Sequence, residues 1–165
     1  MRILGIDPGS RVTGFGVIET DGARHALVSY GVVRTKLTHS FPEKLKAIHQ
    51  GILDVVDDCG PDQMVVESLF YATNVKSALK LGHVRGVALL AGVERGLPVH
   101  EYSPLEVKHS VVGYGRADKH QVQRMVAVLL TLEAPPESYD AADALAVALC
   151  HANQMRFHAK VRTSS

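Results

Sequence analysis

The apolar residues change their period once, near residue 40, and that change limits the fold more than any other feature of the chain. Before it the pattern is that of strands. Arg2 to Asp7 is a short apolar run ended by Pro8-Gly9-Ser10. Val12 to Thr20 reads as a second strand, Asp21-Gly22 as a hairpin turn, and His25 to Arg34 as a third strand with Val28, Tyr30 and Val32 on one face. After it, strands alternate with helices. Ser40-Phe41-Pro42-Glu43 is a capping box, and Leu45, Ile48, Ile52, Val55 and Cys59 follow at helical steps until Gly60-Pro61. Gln63 to Glu67 is a fourth strand, Thr73 to Arg95 a long helix and Leu97 to Glu101 a fifth strand. Ser103-Pro104-Leu105-Glu106 caps a short helix; Val122, Met125, Val126 and Leu129 mark another, and Ser138 to Ala152 the last. The expected fold is α/β: a five-stranded mixed sheet, three antiparallel strands joined to parallel ones, with helices on both faces. Residues 1–155 form one domain in this reading, and Arg156 to Ser165 a loose tail.

The 165 residues are 46% apolar and 21% charged, enough for one globular core and too apolar for a disordered chain. A net charge of +1 excludes a uniformly basic polyanion binder. Cys59 and Cys150 are too few for a disulfide framework or a zinc knuckle. Met1 to Asp7 is too short an apolar run for a signal peptide, and Gly86 to Val93, bounded by Arg85 and Glu94, is far short of a membrane span. A cytoplasmic protein without a membrane role is expected.

Four carboxylates depart from this apolar plan. Asp7 ends the first strand and Glu67 the fourth; in an open α/β sheet functional groups gather beyond the carboxyl ends of parallel strands. Asp140 and Asp143 lie three apart at the start of an otherwise apolar helix, on one face. An acid near a helix start serves as a cap, which accounts for Asp140 better than for Asp143. Buried acids repel unless one is protonated or all share a cation. Oxygen ligands alone select hard ions, magnesium or manganese, and two such ions about 4 Å apart promote phosphodiester hydrolysis. The pattern points to metal-dependent cleavage of nucleic acid.

Gly5-Ile6-Asp7-Pro8-Gly9-Ser10 with Thr13-Gly14, then Val66-Glu67-Ser68, then Asp140-Ala141-Ala142-Asp143-Ala144-Leu145-Ala146 resembles the RuvC family, the bacterial Holliday-junction resolvases. So do Ser77 to Gly82 with Arg85-Gly86, Val107-Lys108 with Val111-Val112-Gly113, and Lys119 to Gln123. The similarity runs over roughly residues 1 to 152. It implies an RNase H-like fold and a homodimer that nicks two strands of a four-way DNA junction symmetrically. It implies ends bearing 5′-phosphate and 3′-hydroxyl, a short thymine-containing cleavage site, and RuvA and RuvB as branch-migration partners. The family's metal ligands match Asp7, Glu67, Asp140 and Asp143, with one or two ions of Mg2+, or Mn2+ in its place. Two family lysines near the active site match Lys108 and Lys119. Phe70 matches an aromatic that touches bases at the crossover.

Charge supports a DNA partner unevenly. Asn74 to Arg124 holds eight cations, Lys76, Lys80, Arg85, Arg95, Lys108, Arg116, Lys119 and Arg124, against four acids; Phe41 to Phe70 holds six acids against two lysines. Phosphate binding is expected from the second half, through Lys76, Lys80, Arg85, Lys108, Arg116 and Lys119, with Phe70 stacking on unpaired bases. Tyr71 is undecided between stacking and packing, and His83, His109 and His120 read as plain exposed histidines, with phosphate binding as the alternative. Ala78, Gly82 and Gly86, with Leu79, Leu81, Leu89 and Leu90, suit either a dimer face on the long helix or packing within one subunit. The glycine-rich aspartate turn also occurs in actin-like ATPases and sugar kinases, but those duplicate the fold around a nucleotide, and no second such turn is present. A non-catalytic binding module on the same scaffold would not need all four acids.

Overall fold

In the computed structural model, residues 1–68 and 74–163 are described, with side chains through residue 157. The strands are β1 (Arg2–Asp7), β2 (Val12–Thr20), β3 (His25–Arg34), β4 (Gln63–Glu67) and β5 (Val99–Tyr102). The helices are α1 (Phe41–Cys59), α2 (Val75–Glu94), α3 (Pro104–Val112), α4 (Lys119–Leu129) and α5 (Tyr139–Thr163). The sheet order is β3-β2-β1-β4-β5. β1 and β2, and β2 and β3, are antiparallel; β4 is parallel to both β1 and β5.

Alternation along the strands divides the core into two layers. Leu4, Ile6, Val17, Met64 and Val66 meet α1 and α2, with Ile48, Ile52, Val84 and Ala88 buried between. Ile3, Ile18 and Val65 face α5, α3 and α4. On that face Asp7 follows Ile3 and Gly5, and Glu67 follows Val65, at two-residue steps. α5 packs on the sheet on one side and on α3 and α4 on the other. A helix enclosed in this way is apolar all round, and Ala144 to Cys150 are fully buried.

Glycine makes that contact close. A Cβ on Gly5 would lie 2.0 Å from the Ala144 carbonyl oxygen, and one on Gly14 would lie 1.9 Å from that of Asp140. Gly5 and Gly14 belong to paired strands, so the backbone of α5 rests directly on a side-chain-free track across β1 and β2. Farther along, buried His151 of α5 bonds the Tyr102 hydroxyl through Nδ1 (2.9 Å) and Gln63 Oε1 through Nε2 (2.6 Å), tying the helix to β5 and β4. Burial, then the neighbouring His100, holds the His151 pKa down at about 4, so the ring is neutral at ordinary pH.

Three boundaries differ from the sequence reading. α2 begins at Val75, with Asn74 Oδ1 accepting the Lys76 N–H (2.8 Å); Thr73, the expected start, lies outside the described residues. β5 runs from Val99 to Tyr102 rather than from Leu97 to Glu101, because Leu97 closes α2 by donating its N–H to the Gly92 carbonyl (3.0 Å) past left-handed Gly96. α5 does not end at Ala152: the segment from Arg156 expected to be a loose tail is helical to Thr163, since no glycine or proline interrupts it. No helix among the described residues is long and apolar enough to cross a membrane.

Candidate active site

The parallel pairing of β1 with β4 places their carboxyl ends side by side, and the α5 track brings Asp143 to the same cleft. Asp7, Glu67, Asp143, Lys108 and Lys119 line this cleft of about 230 Å³ together with Pro104, Val107 and Val122. Asp140 stands one turn before Asp143; its backbone covers Gly14, the ladder partner of Asp7.

The acids interact strongly. Asp7 is pushed up to about 7, first by burial, then by the charges of Asp143 and Asp140, and Lys119 opposes the rise. Glu67 is pushed up to about 8, again first by burial, then by Asp7 and Asp143, against Lys108. The two carboxyls act on each other, so ionising one raises the cost of ionising the other. Asp143 is raised by burial, an effect opposed by Lys119. Among the described residues no three acids, histidines or cysteines converge into a ready-made metal cage. A cluster of carboxylate oxygens with raised pKa values fits a hard divalent ion as the compensating charge.

The lysines come from helices with firmly set starts. In α3, Ser103 accepts the Glu106 N–H and the Glu106 carboxylate accepts the Ser103 N–H (2.7 Å), with Pro104 in the first turn; Lys108 follows one turn on. In α4, Asp118 and Gln121 cap each other reciprocally at 2.9 Å, and Lys119 is the first helical residue.

The other expected DNA contacts lie outside the cleft. Lys76 and Lys80 are exposed on α2, the Lys80 ammonium 5.7 Å from the Phe41 ring centre, and Arg116 is exposed before α4. Arg85 is ion-paired with Glu101, its Nε donating at 2.6 Å, so its charge is already engaged. Phe70 and Tyr71 lie outside the described residues. His120, read only as an exposed histidine, bonds the Tyr139 hydroxyl (3.0 Å) and so links the starts of α4 and α5 beside Lys119 and Asp140. Nothing in local periodicity signals that pair, whose members are 19 residues apart.

The raised acids predict a pH dependence. The folded, metal-free protein retains protons that unfolded carboxyls, with model values of 3.8 and 4.5, have already lost. Stability present in acid is therefore lost as pH rises through about 7 and about 8. The melting temperature in a chelator should fall by several degrees from about pH 6 to pH 9, and millimolar Mg2+ should remove most of the fall. A flat profile in chelator would contradict the arrangement.

A five-stranded mixed sheet with carboxylates and lysines gathered at the ends of β1 and β4 and the start of α5 defines the class: an RNase H-like fold of the junction-resolving nucleases. Residues 3–151 match the family model of the crossover junction endodeoxyribonuclease RuvC. The chain belongs to the RuvC family. The crossover junction endodeoxyribonuclease RuvC of Syntrophotalea carbinolica is 54% identical over 153 residues, covering 93% of this chain and 94% of that one. That of Magnetococcus marinus is 48% identical over 158 residues, covering 96% and 87%. The structure of T. thermophilus RuvC in complex with a Holliday junction substrate superposes with a TM-score of 0.90 at 36% identity, covering 96% of each chain. The yeast mitochondrial resolvase Ydc2, at 16% identity and a TM-score of 0.67, shares the fold.

Proposed function

We propose that the protein resolves four-way DNA junctions as a homodimer, each subunit nicking one of two symmetry-related strands to leave 5′-phosphate and 3′-hydroxyl ends. The observation that carries this is the meeting of Asp7, Glu67, Asp143, Lys108 and Lys119 in one cleft, in a chain of the RuvC family. Asp7, Glu67, Asp140 and Asp143 would hold one or two Mg2+ ions, with Mn2+ able to substitute. When bound, the ions supply Lewis-acid polarisation of the phosphate and lower the pKa of the attacking water. Lys119, beside Asp7 and Asp143, and Lys108, beside Glu67 and Asp143, orient the scissile phosphate and neutralise charge that grows on its oxygens. Val107, Val122 and Pro104 shield one wall of the cleft from bulk water.

A junction needs two cuts and each subunit reaches one phosphate, hence the dimer. The apolar groove along Leu45, Ala78, Leu79, Gly82, Gly86 and Leu90 supports it: Leu79 and Leu90 are more than half exposed, and a Cβ on Gly82 or Gly86 would meet nothing within 4 Å among the described residues. Lys76, Lys80, Arg85 and Arg116 contact junction arms, Arg85 after releasing Glu101. Phe70 stacks on bases at the crossover. RuvA and RuvB deliver the junction, and the work is done in the cytoplasm.

The test is a synthetic four-way junction and a matched linear duplex incubated with Mg2+. Paired, symmetric nicks on the junction alone are expected, and equal cutting of the duplex would reject the assignment. Lys119→Ala should slow single-turnover cleavage by about a hundredfold, the order seen on removing one charge-stabilising donor. An unchanged rate would remove Lys119 from the catalytic group.

A further inference from the structure

Residues 1–40 carry five cations, Arg2, Arg11, Arg24, Arg34 and Lys36, and three acids, Asp7, Glu19 and Asp21. At the end of the sheet remote from the cleft, acids stand beside these cations. Arg2 donates to the Cys59 carbonyl (2.7 Å) and reaches Glu19 at 4.0 Å. Asp21 is held below its ordinary value, first by accepting the Arg24 N–H, and the Arg24 charge adds to the effect. Acids of α1 and its exit lie at that end too: Asp57 binds Arg95 through two 2.7 Å bonds, and Asp62 accepts the Arg2 N–H.

At the cleft end the balance is different. Arg11, Arg34 and Lys36 are exposed and make no ion pair among the described residues. The first acid after Lys36 in the sequence, Glu43, is occupied by the Ser40 N–H and hydroxyl, each at 2.7 Å. The three cations sit on two turns joined to each other. Val12 pairs with Arg34 on the ladder, Thr35 donates its N–H to the Arg11 carbonyl (3.0 Å), and its hydroxyl donates to the Ser10 carbonyl (3.0 Å). Buried Thr13 braces the first turn by donating to the Gly9 carbonyl at 2.8 Å. That turn starts at the residue after Asp7.

Position then gives these cations a direction. β2 and β3 extend the sheet from β1 on the side away from β4, about 5 Å per strand. Lys108 and Lys119 come from helices that follow β5, the opposite edge. Cations therefore flank the acids on both sides. Those on the β2–β3 side have no ion-paired acid to release among the described residues, and their turns are already ordered, so a phosphate bound there meets little entropic cost.

We propose that Arg11, Arg34 and Lys36 form a second phosphate-binding site, which holds the backbone of a DNA arm as it leaves the cleft across β2 and β3. This rests on the nuclease reading of the cleft and adds to it a path for the strand. Each phosphate neutralised should contribute about 0.9 to the slope of log K against log salt on duplex DNA.

The experiment measures the affinity of the full chain for a fluorescent four-way junction in Ca2+, where cutting is suppressed, between about 50 and 200 mM KCl. The triple variant Arg11→Gln, Arg34→Gln, Lys36→Gln should lower the slope by about 2 to 3 and weaken binding about a hundredfold near physiological salt. Arg2→Gln with Arg24→Gln, the same charge type at the far end, should leave the slope unaltered. Should the triple variant melt early, Arg34→Gln and Lys36→Gln singly must each lower the slope by about 1. A wild-type slope in these variants, with the wild-type protein binding the junction, overturns the second site alone. A wild-type protein that does not bind the junction overturns the nuclease reading beneath it.

Discussion

Asp7→Asn should reduce junction cleavage by at least about a thousandfold, on the order of 4 kcal/mol of transition-state stabilisation, while junction binding persists. Asp7 is acted on by Asp143, Asp140 and Lys119 and itself acts on Glu67, so its charge is tied to the others of the site. Removing it would take away a proposed ligand oxygen and also relieve a repulsion. The second effect gives the prediction its sharper half. In chelator at about pH 8.5 the variant should melt several degrees above the wild type, because the buried carboxyl no longer has to ionise. A mutation that destroys activity and raises metal-free stability is the signature of a charge cluster maintained for function. If the variant cleaves normally, or melts lower at high pH, the cluster has been misread.

The second large effect concerns residues without side chains. Gly5→Ala would place a methyl group 2.0 Å from the Ala144 carbonyl oxygen and 2.9 Å from the Ala148 nitrogen. Both neighbours are main chain, so no rotamer change relieves the clash and α5 must lift from β1. A loss of about 3 kcal/mol or more, some 10 °C in melting temperature, is expected. Gly14→Ala meets the carbonyl of Asp140 at 1.9 Å, where α5 begins and fewer contacts oppose a shift. Its expected signature is a smaller stability loss with about a hundredfold slower cleavage, since a displacement near 1 Å at a reacting centre costs that much. Cleavage at the wild-type rate by folded Gly14→Ala would show that the glycine track does not set the position of the acids.

Much of this arrangement is legible in the residues. The change of period near residue 40 predicts the meander and the alternation after it, and capping boxes at Ser40 and Ser103 place the starts of α1 and α3. Asp7 and Glu67 stand out because each ends an apolar run, and Asp143 because it interrupts one. What escapes is what depends on long-range approach. Leu97 has the apolar character of a strand residue, yet its N–H closes the preceding helix. Arg85 belongs to the basic half by count, yet Glu101, on another element, neutralises it. Gly5 and Gly14 read as parts of a motif, and only the fold shows a helix backbone lying on them. The net charge of +1 hides a separation along the sheet: ion pairs such as Arg2–Glu19 and Arg95–Asp57 at one end, and at the other Arg11, Arg34 and Lys36 without an ion pair among the described residues.

The most direct test of the central claim, that these carboxylates form the metal centre for cleavage, is a titration of the protein with Mn2+ followed by electron paramagnetic resonance. The wild type should bind one or two ions per subunit. Glu67→Gln and Asp143→Asn should lose at least one of them in parallel with their cleavage rate, whereas Asp57→Asn, at the far end and paired with Arg95, should bind as the wild type does. Unchanged Mn2+ binding in Glu67→Gln and Asp143→Asn would contradict the account.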